Sequence, residues 1–152
     1  MADIYASNLK LPGNTISQDD LFNLDLIQKD KTSDLLFLIG TLIGMYVNSK
    51  AEQQILCPEE TQDSSQSAAA REATLGELVV IFILFFLAAA VILTSTACAR
   101  LSKQKSEISE EPDQTTINNI KGSELNILGL LLRVIGYVLS AVGNQIRVDN
   151  PV

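Results

Sequence analysis

Residues 78–99, LVVIFILFFLAAAVILTSTACA, run for 22 positions without a charge. At about 1.5 Å of rise per residue, a helix of that length crosses the roughly 30 Å apolar core of a bilayer. Arg100, Lys103 and Lys105 follow at once, where a spanning helix would meet headgroups and water. The rest of the chain repeats this segregation. Apolar residues make up 47% and charged residues 19%, but they fall into three apolar blocks with the charges between them. A water-soluble globule interleaves the two kinds. The expected fold is all-α: a small helical integral membrane protein with two or three transmembrane helices.

The organisation read along the chain starts with a polar, acidic segment, 1–34. Pro12-Gly13-Asn14 reads as a turn, and Ser17-Gln18-Asp19-Asp20 as a helix start. The stretch LFNLDLIQK fits both a short amphipathic helix, through Leu21, Leu24 and Ile27, and a strand, through Phe22, Leu24 and Leu26. A helix lying on the membrane interface is the preferred reading. A short first membrane helix is expected over 35–51, with Ser33 as N-cap and Asp34 in the first turn. A polar loop occupies 52–77, and its Thr74-Leu75-Gly76-Glu77 has capping-box spacing for the main span, 78–99. A charged loop follows at 100–124 with Pro112, then a third helix at 125–147 that could begin as early as Asp113, and a tail at 148–152. The opening residues lack the apolar core of a signal peptide.

The positive charges suggest an orientation. With three spans and the N-terminus in the cytoplasm, Lys10, Lys29, Lys31, Arg100, Lys103, Lys105 and Lys121 lie inside, against Lys50, Arg71 and Arg147 outside. Arg100, Lys103 and Lys105 dominate this bias and are the topology determinants. Cys57 and Cys98 then lie on opposite sides and do not pair. No glycosylation acceptor is present, which fits a bacterial plasma membrane.

Composition also narrows function. The formal net charge of −7 argues against a nucleic-acid partner, which requires a basic face. There is no His, hence no usual general base or favourite metal ligand. No nucleophile has a base, and no phosphate loop or metal-ligand spacing is present. Glu59-Glu60 and Glu110-Glu111 read as solvated charge. The expectation is a protein that is not an enzyme, with no cofactor and no metal.

What remains is a set of small residues at helical spacing. Gly40, Gly44 and Asn48 are four apart, as are Gly136, Ser140 and Asn144. Gly122, Gly129, Gly136 and Gly143 recur every seven residues. Such faces let another backbone approach closely in lipid, with polar side chains adding hydrogen bonds, and a seven-residue repeat keeps one face toward a partner. Residues 35–48 also align with 131–144, through duplication or through the chance likeness of short apolar segments. Arg133 shares the third block's glycine face. It is either a pore-lining or intersubunit group, or a side chain reaching the cytoplasmic interface. The preferred reading is an accessory, assembly or immunity-type subunit acting by helix–helix association with itself or another membrane protein in the bilayer. The alternatives are a homo-oligomeric or holin-like pore, and a single-span protein whose other helices form an interfacial bundle.

Overall fold

The computed structural model describes residues 16–56, 68–108 and 112–149. Pro12-Gly13-Asn14, Cys57, Glu59-Glu60, Glu110-Glu111 and the tail beyond Asp149 lie outside the described residues, as do the side chains of 68–73. The described residues form three helices: α1 (Gln18–Leu56), α2 (Ala68–Ser106) and α3 (Gln114–Asp149). α1 and α3 each run antiparallel to α2 and pack against it. No Cα of α1 comes within 8 Å of a Cα of α3. The molecule is therefore a central helix with one helix on each flank.

All three helices are longer than the apolar blocks. α1 starts where Ser17 and Asp20 close a capping box. The Asp20 N–H donates to Ser17 Oγ (3.1 Å) and the Ser17 N–H to Asp20 Oδ2 (3.3 Å), which satisfies two end donors. It then continues through the apolar block without a break, so 21–29 is helix rather than strand. Ser33 is not an N-cap. It is fully buried, and its Oγ donates to the Ala89 carbonyl at 3.0 Å. Thr74 and Glu77 do not open α2, because the helix already begins at Ala68; three alanines there favour helix strongly. α3 starts at Gln114 with Asp113 as its cap, the Thr116 N–H donating to Asp113 Oδ1 at 2.8 Å. Hydrogen bonds from Thr116, side chain first and backbone second, hold the Asp113 carboxyl below its ordinary range. Helix thus takes up residues 100–106 and 114–124 of the expected 100–124 loop.

The α1–α2 interface follows a seven-residue period. Leu26, Ser33, Gly40 and Val47 are the buried residues of α1, the stripe expected of a left-handed antiparallel pair. Opposite them on α2 lie the buried Ala89 and Thr96, bonded to Ser33 and Asp30; Ile83 and Ala90, at seven-residue steps from Gly76, are buried as well. Gly40 is needed here, since a Cβ would stand 2.7 Å from Phe86 Cε1 and 3.2 Å from the Phe82 carbonyl oxygen. Phe86 joins the flanks. Its ring centroid lies 5.5 Å from Phe37 of α1 and 5.7 Å from Tyr137 of α3, spacings typical of favourable ring pairs. The side of α2 opposite Phe86, from Ile81 through Leu84, Ala88, Val91 and Ser95 to Cys98, is exposed. α1 and α3 therefore lean toward the Phe86 side and leave a notch between them with Phe86 at its floor.

Candidate functional site

The cross-helix contacts fix which residues share a level. Ser33 meets Ala89, Phe86 meets Tyr137, and the place a Gly76 Cβ would take is 2.7 Å from Val148 Cγ2. Asp34 and Arg133, one turn before Tyr137, consequently lie beside Ala89 and Ala90. Arg147 and Glu77 share a level near the other end, with Lys50 close to it. From Asp34 to Lys50, and from Arg133 to Arg147, the helices advance about 24 and 21 Å. Between these two planes of charge the exposed large residues are apolar except Asn48 and Gln145: Leu35, Leu38, Leu42, Met45 and Tyr46 on α1, Ile81 and Leu84 on α2, and Ile135, Val138, Leu139, Val142 and Ile146 on α3. On α3 this surface continues past Arg133 to Leu125. An apolar belt of this extent is far beyond the scattered apolar exposure of an ordinary soluble surface. The 33-residue stretch Thr74–Ser106 and the 36-residue Gln114–Asp149 are each long and apolar enough to cross a membrane. α1, with its shorter apolar block, is not.

The basic cluster after residue 99 is held by acids on both neighbouring helices. Arg100 pairs with Asp30, Lys103 with Asp19 at 3.1 Å, and Lys105 with Glu124 at 2.7 Å. Lys103 Nζ also stands 5.2 Å from the Phe22 ring centroid. Thr96 Oγ1 donates to Asp30 Oδ1 at 3.1 Å, and Ser123 Oγ to Gln104 Oε1 at 3.1 Å. The expected topology determinants thus also clamp the three helices at one end. Exposed pairs of this kind contribute at most about 1 kcal/mol each, so their main effect is to fix register. The pairing of Asp19 and Asp30 is not legible in the sequence, because their partners are 84 and 70 residues away.

The small residues separate into two groups. Gly40 is consumed by the contact with Phe86. Gly44, one turn on, has open space where a Cβ would project, and Asn48 is exposed. On α3 the face toward α2 runs from Ile120 through Ile127, Val134 and Ala141 to Val148, with Ser123, Leu130, Tyr137 and Asn144 between, at alternating steps of three and four. Asn144 lies on this half-buried face and its Nδ2 donates to the Ser140 carbonyl at 2.8 Å. A second seam of the same spacing runs outside it: Gly122, Asn126, Gly129, Arg133, Gly136, Ser140, Gly143, Arg147. Every member is exposed, and a Cβ on any of its glycines would meet nothing within 4 Å. Within one copy, therefore, Gly40 and Gly44 do not meet Gly136 and Ser140. Arg133 forms no ion pair with any described residue, and neither does Asp34. The chain matches no family model, no curated protein and no solved structure.

Proposed function

We propose that this is an integral membrane protein, with its N-terminus on the cytoplasmic side, that works by helix–helix association through the outer seam of α3. The observation that carries this reading is that seam. Over 26 residues, every third or fourth position is glycine or polar, and nothing among the described residues covers it. In lipid an exposed helix face gains nothing from being small, since larger apolar side chains would contact the tails better. Small residues serve close approach of another helix, and polar side chains along the seam then add hydrogen bonds. The surrounding apolar belt supports insertion, and the packing of the shorter apolar block of α1 along α2 supports its crossing beside the two longer spans, with Lys50 and Arg147 reaching outward and Asp34 and Arg133 inside the bilayer, level with the middle of the uncharged run 78–99. An accessory, assembly or immunity-type role fits a chain whose most distinctive surface is an interface.

The test compares two substitutions on the same helix. Gly136→Leu fills open space, so the three-helix fold should persist while the seam is blocked. Leu132→Ala changes the apolar belt one turn away. In detergent, the associated species should be lost on Gly136→Leu and retained on Leu132→Ala. Equal effects of the two would sink the seam as the association surface.

A further inference from the structure

We infer that two copies pack notch to notch about a two-fold axis parallel to the helices, each pairing its Arg133 with Asp34 of the other. This rests on the association reading above and names its partner as a second copy of this chain. The first observation is the charges themselves. Asp34 and Arg133 have opposite sign, lie at one level beside Ala89 and Ala90, and flank the apolar belt, yet neither has an ionic partner among the described residues. Charges at such a depth are costly alone and are found paired or facing an aqueous cavity. The second observation is helical phase. Asp34, Thr41 and Asn48 each follow a buried residue of α1, namely Ser33, Gly40 and Val47, by one position. Asn126, Arg133 and Ser140 each precede an inward residue of α3, namely Ile127, Val134 and Ala141, by one. One step is about 100° of rotation. For two helices running the same way on opposite flanks of α2, a step forward on one and a step back on the other turn to the same side. That side is the notch floored by Phe86.

A two-fold along the helix axes preserves depth, so it sets α3 of each copy against α1 of its partner with both charges level. The contact is isologous, the commonest arrangement of a homodimer, and satisfies all four charges at once. Gly129 and Gly136, open on either side of Arg133, allow the partner's α1 backbone to come close. The pairing also gives the open Gly44 and exposed Asn48 an occupant.

The test uses the full chain with Cys57→Ser and Cys98→Ser, adding Asp34→Cys and Arg133→Cys, in membranes treated with a short bis-thiol reagent. A covalent dimer should form from the doubly substituted chain and from a mixture of the two single variants, but from neither single variant alone. In the cysteine-free background, Arg133→Asp should lower the dimer fraction several-fold, and Asp34→Arg with Arg133→Asp should restore it. A link within one chain, a ladder of higher multimers, or linkage of Arg133→Cys to itself would overturn the two-fold pairing. No link and no rescue, while Gly136→Leu still abolishes association, would overturn this pairing and leave the seam standing. A chain that never associates would remove both.

Discussion

Gly40→Leu should separate α1 from α2, whereas Gly44→Leu, one turn away, should leave that contact intact. Gly40 is buried, and even the first carbon of a side chain would stand 2.7 Å from the Phe86 ring. That ring cannot easily yield. It is packed on Phe37, Phe82 and Tyr137, with centroids 5.5 to 5.7 Å away, and the Phe82 carbonyl oxygen stands 3.2 Å from the same Cβ position. Overfilling a packed site usually costs about 1–3 kcal/mol, and a whole Leu against backbone belongs at the upper end. Gly44 has nothing within 4 Å of the same position. The measurement is the unfolding midpoint of each variant in mild detergent, followed by helical signal. A Gly40→Leu protein as stable as the parent would mean that α1 does not pack as described.

Phe86→Ala should loosen both flanking helices together, by about 3 kcal/mol, the lower end for a buried Phe truncated to Ala because this ring is half-exposed to the notch. No other described side chain makes ring contacts with both α1 and α3. Loss of the ring removes contacts from Phe37 and Tyr137 at once and opens space in front of Gly40. The two substitutions therefore couple. Gly40→Leu combined with Phe86→Ala should be less damaging than the sum of the singles, because each relieves the defect of the other; neighbours in contact commonly depart from additivity by 0.5–3 kcal/mol. Strict additivity in the double-mutant cycle would contradict the contact.

Much of this architecture was legible in the sequence and some was not, for reasons that can be named. The 78–99 run was legible because length and hydropathy are local properties. So was a helix start at Ser17-Gln18-Asp19-Asp20, while Asp113 was legible only as the earliest start open to a helix expected over 125–147. The continuity of α1 was hidden. Its first half, Gln18 to Asp34, is polar, and it is held as part of a long helix by partners on α2 such as Thr96, Arg100 and Lys103, far away in sequence. Ser33 illustrates the same point. Its type and position matched an N-cap, but burial against Ala89 gave its hydroxyl a different acceptor. The glycine periods were visible, whereas the direction each glycine faces was not. Gly40 and Gly44 look alike in sequence, yet one is filled by an aromatic ring and the other is open. The seven-residue ladder on α3, with Arg133 on its face, was visible as spacing. That this face, continued by Asn126, Ser140 and Arg147, is turned outward follows only once α2 is seen to take the other side.

On the proposed insertion, the belt between the two charged planes lies in a bilayer. The chain contains no Trp, so a single introduced indole reports without background. Leu139→Trp, in the middle of the belt on α3, should be strongly quenched by lipids brominated on their acyl chains when the protein is reconstituted in vesicles. Ile108→Trp, in the α2–α3 connection, should be quenched weakly. Equal, weak quenching at both positions would contradict the account and leave a helical bundle whose apolar belt is covered by protein instead of lipid.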